Sequence, residues 1–240
     1  MSRSSLGVTE LAVGYSAAPV VKGATLTVAA GELTVLVGPN GSGKSTLLKG
    51  IAGVLRPLAG RVVLRNGDER DITGLRPEQT ASIGVGYVPQ VANVFAALSV
   101  SENLRVGGYT ARASIGARLE YVYGLFPDLH AAARKPARTL SGGQRGMLAL
   151  GRALMANPKV LLVDEPTAGL SPRFQGVVWE QLVRLREEGV ALLVVEQNTR
   201  AALESGNEGY VLVAGAIRRS GPCRELLEDE ELVSLYIGRH

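Results

Sequence analysis

Apolar positions along this 240-residue chain follow two rhythms, and each predicts a kind of element. Leu6, Val8, Leu11 and Val13, then Leu26 and Val28 on one parity of residues 24–30, predict antiparallel strands joined by a turn around Ala18 and Pro19. Residues 33–37, 160–163 and 190–195 are short, largely apolar runs, suited to parallel strands covered on both faces. Further strands are predicted at 60–65, entering an Asn66-Gly67 turn, at 83–88, halting at Pro89, and at 210–213. Helical patterns occupy 45–52, ending near Gly53, and 118–126, with Leu119, Val122, Tyr123 and Phe126 on it. Ser99 and Ser101-Glu102-Asn103-Leu104 resemble a helix start. Another helix runs over 141–157 through Met147, Leu150 and Leu154 to a stop at Pro158. A capping Ser171 and an N1 Pro172 open the next, whose core face is Val178, Leu182 and Leu185 and whose end is Gly189. A short helix at 199–205 and a closing helical region at 224–236 complete the chain.

Strands alternating with helices argue for one α/β domain over 1–240, with a mostly parallel sheet and right-handed crossovers. Residues 1–90 and 158–240 form its core, including an N-terminal antiparallel β subdomain, while 91–157 read as an inserted helical subdomain. Hydrophobic residues make up 46% and mean hydropathy is +0.14, enough for well-covered sheets. No run reaches the roughly 18 apolar residues of a membrane span, and the start carries no long apolar segment of a secretory signal. A cytosolic protein is expected. The lone Cys223 cannot close an intrachain disulfide. A net charge of +4 and a pI of 9.4 suit an anionic ligand, nucleic acid or the inner membrane surface without selecting among them.

The chemistry enters between the third predicted strand and the first helix, as Gly38-Pro39-Asn40-Gly41-Ser42-Gly43-Lys44-Ser45-Thr46. The glycines let the backbone curl until several N–H groups converge on one anion, and the helix start adds partial positive charge. This is a P-loop, and it sets the fold class as a P-loop NTPase of the RecA-like kind. Lys44 is expected on the β- and γ-phosphates, Ser45 on Mg²⁺ and Thr46 near the α-phosphate of ATP. The second signal is Asp164-Glu165, delivered by an apolar strand at the end where parallel sheets place their ligands. Asp164 is expected to hold Mg²⁺ and Glu165 to polarise the attacking water. Tyr15 is an aromatic able to stack on the base.

Leu140-Ser141-Gly142-Gly143-Gln144 precedes a helix some twenty residues before the acidic strand. Alone it is a helix cap. Between a P-loop and an acidic strand, in this order, the chain resembles ATP-binding cassette proteins over essentially its whole length. The resemblance matches Tyr15 to the aromatic A-loop, Gln90 to the Q-loop glutamine beside Mg²⁺, and Asp164-Glu165 to the Walker B carboxylates. It implies that two ATP-binding subunits pair head to tail, so that Ser141, Gly142, Gly143 and Gln144 act on the ATP of the partner.

Finer motifs resemble the ATP-binding subunits of branched-chain amino acid importers: Gly86-Tyr87-Val88-Pro89-Gln90, residues 98–104, Leu125-Phe126-Pro127, Val195-Glu196-Gln197-Asn198 and Tyr236-Ile237-Gly238. Importers of urea or short amides share most of them. The resemblance implies two integral membrane permease subunits below a periplasmic or extracellular binding protein, no nucleic acid, and a seat on the inner face of the membrane. Val91, Val94, Phe95 and Leu98 are placed either against a permease or within the helical subdomain. Two positions depart from the superfamily pattern: Ser171 stands where an aspartate is common, and Gln197 where a histidine is common. Glutamine can still position water, so Gln197 joins Glu165 and Lys44 as a candidate catalytic residue. Its plainer alternative is a cap on the helix near Thr199. A nucleic-acid or ribosomal ATPase of the same superfamily is the rival function, disfavoured by the absence of a second cassette or a coiled-coil insertion. A regulatory module without turnover is disfavoured by Glu165.

Overall fold

A computed structural model describes residues 5–91 and 94–229. Its strands are β1 (Ser5–Val13), β2 (Val21–Val28), β3 (Leu33–Val37), β4 (Ala59–Asn66), β5 (Asp68–Asp71), β6 (Val85–Val88), β7 (Val160–Asp164), β8 (Ala191–Val195), β9 (Glu208–Val213) and β10 (Ala216–Pro222). Its α-helices are α1 (Lys44–Ile51), α2 (Pro77–Ser82), α3 (Val100–Gly107), α4 (Ile115–Leu125), α5 (Pro127–Ala131), α6 (Gly142–Leu154), α7 (Pro172–Glu187), α8 (Thr199–Ser205) and α9 (Cys223–Glu228). Of the closing region, Tyr236-Ile237-Gly238 lies outside the described residues.

Two sheets divide the strands. The first is antiparallel in the order β2-β1-β4-β5, with Val13 opposite Val21 across the predicted turn. The second has the order β10-β9-β3-β8-β7-β6, parallel except for the β10 edge. Its central strands are buried at every position, and their alternation sorts the side chains between two cores. Leu33, Val35, Leu161, Val163, Leu192 and Val194 face α3, α4, α6 and α7. Leu36, Leu162, Leu193 and Val195 face α1 and the antiparallel sheet. Apolar cover on both faces is what a continuous hydrophobic run requires of a strand.

Some elements had no sequence signature. β5 is exposed throughout at the edge of the first sheet, β10 is largely polar at an edge of the second, and α2 buries only Thr80, so none shows an apolar stripe. Ser171 does occupy the N-cap of α7, but its side chain makes no capping bond there; the start rests on Pro172 at the first position. The helix predicted to reach 157 ends at Leu154, and Asn157, ahead of Pro158, takes a left-handed φ of 52°. Among the described residues no helix is long and apolar enough to cross a membrane.

Candidate functional site

The carboxyl ends of β3, β8, β7 and β6 lie side by side, and the chemically active side chains follow directly from them. β3 runs into the glycine-rich loop, where Gly38, Gly41 and Gly43 all have positive φ, at 147°, 76° and 104°. Two of these positions are also crowded. A Cβ at Gly38 would lie 2.0 Å from the Leu212 carbonyl oxygen, and one at Gly43 would meet Val21 at 3.1 Å and Val20 at 3.3 Å. Lys44 folds back so that its Nζ donates to the carbonyls of Gly38 (2.7 Å) and Pro39 (3.1 Å). Burial pushes its ammonium below the usual lysine value, and Glu165 and Asp164 oppose that. Ser42 is buried, and its Oγ has no hydrogen-bond partner among the described residues.

The acidic pair stands across from this loop. Ser45, in the first turn of α1, donates its hydroxyl to Asp164 Oδ1 at 2.9 Å. Burial raises the Asp164 carboxyl above the usual range, partly offset by that bond. Glu165 has left-handed backbone, φ 49°, and its N–H donates to the Val195 carbonyl at 2.9 Å. Its Oε2 accepts from two amides, Gln197 Nε2 at 2.7 Å and Gln90 Nε2. Gln197 is therefore not the cap of α8: Asn198 holds that position and accepts from the Ala201 N–H. Tyr15 lies past the end of β1, 65% exposed, with Lys49 Nζ donating to its hydroxyl at 3.2 Å. Hydrogen bonding to Thr46, and secondarily to Lys49, lowers the Tyr15 phenol below its ordinary value.

Ser141 and Gln144 form a reciprocal cap on α6: the Gln144 N–H donates to Ser141 Oγ at 3.2 Å, and the Ser141 N–H to Gln144 Oε1 at 3.1 Å. Gly142 is exposed and lines a cleft of about 220 Å³ with Gln90, Asp164 and Glu165. Gly143 is buried against Phe174. Val91 and Phe95 are exposed, whereas Val94 is half-buried and packs against the core. Sequence reasoning quoted Glu196 in a motif but gave it no role; it is a buried carboxylate behind Gln197, signalled only as a polar residue closing an apolar run within that motif.

The loop fits a polyphosphate: curled glycines, a buried lysine and an unpartnered buried hydroxyl converge at a helix start. The Ser45–Asp164 pair offers the hard oxygen donors that suit Mg²⁺. An ABC transporter domain model matches residues 21–168. The chain belongs to the ABC transporter family. It is 40% identical to the Archaeoglobus fulgidus protein described as "Probable branched-chain amino acid transport ATP-binding protein LivF", over 95% of this chain and 97% of that one. It is 33% identical to the lipopolysaccharide export system ATP-binding protein LptB of Escherichia coli K12, over 98% of both. The solved ADP conformation of an ABC transporter cassette, MJ1267, superposes with a TM-score of 0.82 at 29% identity, over 100% of both chains. This ABC transporter chain is thus a P-loop ATPase, the ATP-hydrolysing subunit of a transporter.

Proposed function

We propose that the chain drives import of branched-chain or related amino acids, as one of two ATP-binding subunits seated beneath two membrane permeases on the inner face of the membrane. The observation that carries the substrate reading is the 40% identity to LivF across nearly the whole of both chains, against 33% to LptB. Residues 1–90 and 158–240 act as the nucleotide-binding core, and 91–157 as a helical arm presenting the signature motif. Lys44 and the N–H groups of residues 38–46 hold the phosphates, and Tyr15 supports the base. Ser45, Asp164 and Gln90 hold Mg²⁺, which neutralises charge on the phosphates when bound. Glu165 takes the proton of the attacking water, and Gln197 fixes the Glu165 carboxylate from the side. Ser141, Gly142, Gly143 and Gln144 reach the ATP of the partner subunit, so that closure of the pair depends on nucleotide at the interface.

The test is transport. The full chain is purified with the membrane proteins that travel with it, reconstituted in vesicles and supplied with ATP, Mg²⁺ and a leucine-loaded binding protein. ATP-dependent leucine accumulation is expected. Extraction of lipopolysaccharide without leucine uptake would replace the importer reading with an exporter.

A further inference from the structure

Glu165 holds an uncommon backbone conformation for a residue with a side chain, and such strain persists only where neighbours over-determine it. Part of the restraint is its own N–H on Val195, but the loop that follows is tied elsewhere. Glu196, 2% exposed, takes both donors of Thr167 on Oε1: the backbone N–H at 3.0 Å and the hydroxyl at 2.7 Å. Its Oε2 accepts the backbone N–H of Gln197 at 3.2 Å. One buried carboxylate thereby joins the segment two residues after Glu165 to the residue whose amide holds Glu165. A buried carboxylate is tolerated only when donors replace its water, and three donors do so here.

We propose that Glu196 is a positioning residue for hydrolysis: through Thr167 and the Gln197 backbone it fixes the left-handed turn at Glu165 and aims the Gln197 amide at the Glu165 carboxylate. The proposal rests on Glu165 as the group that handles water. Glu196 is buried and acts through Thr167 and the Gln197 backbone. Its loss acts by letting the Glu165–Gln197 pair drift, which lowers the rate of chemistry while leaving ATP binding in place.

The experiment compares Thr167→Val, Thr167→Ser, Glu196→Gln and Glu165→Gln in the full chain, measuring ATP turnover, ATP affinity and, without nucleotide, amide hydrogen exchange. Thr167→Val removes the hydroxyl at similar volume and is expected to lower kcat by about tenfold or more, with ATP affinity within about twofold. Thr167→Ser keeps the hydroxyl and should stay within about twofold of the parent. Glu196→Gln leaves one acceptor oxygen where two served Thr167 and Gln197; it should lose at least as much kcat, and the backbone amide of Gln197 or of Thr167, whichever then faces the NH₂, should exchange on the order of tenfold faster. If Glu196→Gln does not fold, the Thr167 pair decides alone. An unchanged kcat in Thr167→Val overturns the proposal, as does a loss in Thr167→Ser as large as that in Thr167→Val, which would mark packing rather than the hydrogen bond. Turnover abolished in Glu165→Gln but intact in Thr167→Val overturns the clamp alone; a fully active Glu165→Gln overturns the reading beneath it.

Discussion

Asp164 faces two demands that oppose each other. Burial raises its carboxyl above the usual range, whereas the Ser45 hydroxyl favours the charged form; with the neighbouring Glu165 adding to the rise, burial prevails and the ionised form is disfavoured in the folded chain. A carboxyl raised on folding binds more protons in the native state than in the unfolded one between its ordinary value of about 3.9 and the raised value. Its charge therefore destabilises the fold at neutral pH, and the penalty is relieved as pH falls through the raised value. Asp164→Asn should raise the nucleotide-free Tm at pH 7 by on the order of a few degrees, and the gain should shrink as pH falls toward about 4. The same variant should lose the added stabilisation that Mg²⁺ gives with ATP. Thermal melts from pH 4 to 8 check both; a lower Tm at pH 7, unchanged across the range, would place Asp164 among ordinary stabilising carboxylates. Lys44, Ser45, Asp164 and Glu165 were legible in the sequence because their spacing to glycines and apolar strands is local. Glu196 was not, since its partner Thr167 is 29 positions away and only the adjacency of β7 and β8 brings them together.

The helices show a constraint of another kind. Gly143, one residue into α6, lies so near the start of α7 that a Cβ there would sit 2.3 Å from a ring carbon of Phe174. At Gly142 a Cβ would meet nothing within 4 Å. One glycine of the pair is thus required by packing inside this chain, and the other is not. Gly143→Ala should destabilise the fold by about 1–3 kcal/mol, the usual range for overpacking, and Phe174→Leu should recover part of that loss. Denaturant melts of both single variants and the double variant measure it; additive losses would show that the two residues do not meet. Elements with an apolar stripe, such as β3, β7, β8 and α6, announce themselves in the sequence. β5, β10 and α2 do not, because a polar edge strand or a polar short helix is shaped by its neighbours rather than by its own pattern.

Across the whole molecule, the parallel sheet brings the ends of four strands that are distant in sequence to one edge. That edge carries the P-loop after β3, Gln90 after β6, Asp164 and Glu165 at the end of β7, and Gln197 after β8. Both amides converge on Glu165, which makes its carboxylate the centre of the arrangement. The most direct test is a single-turnover measurement of ATP hydrolysis with Mg²⁺ in Glu165→Gln, with bound nucleotide quantified in the same sample. Hydrolysis should fall by about a hundredfold to ten-thousandfold, the range for a general base, while ATP stays bound. Hydrolysis at the parent rate with ATP bound would contradict the role of Glu165 and the site built around it.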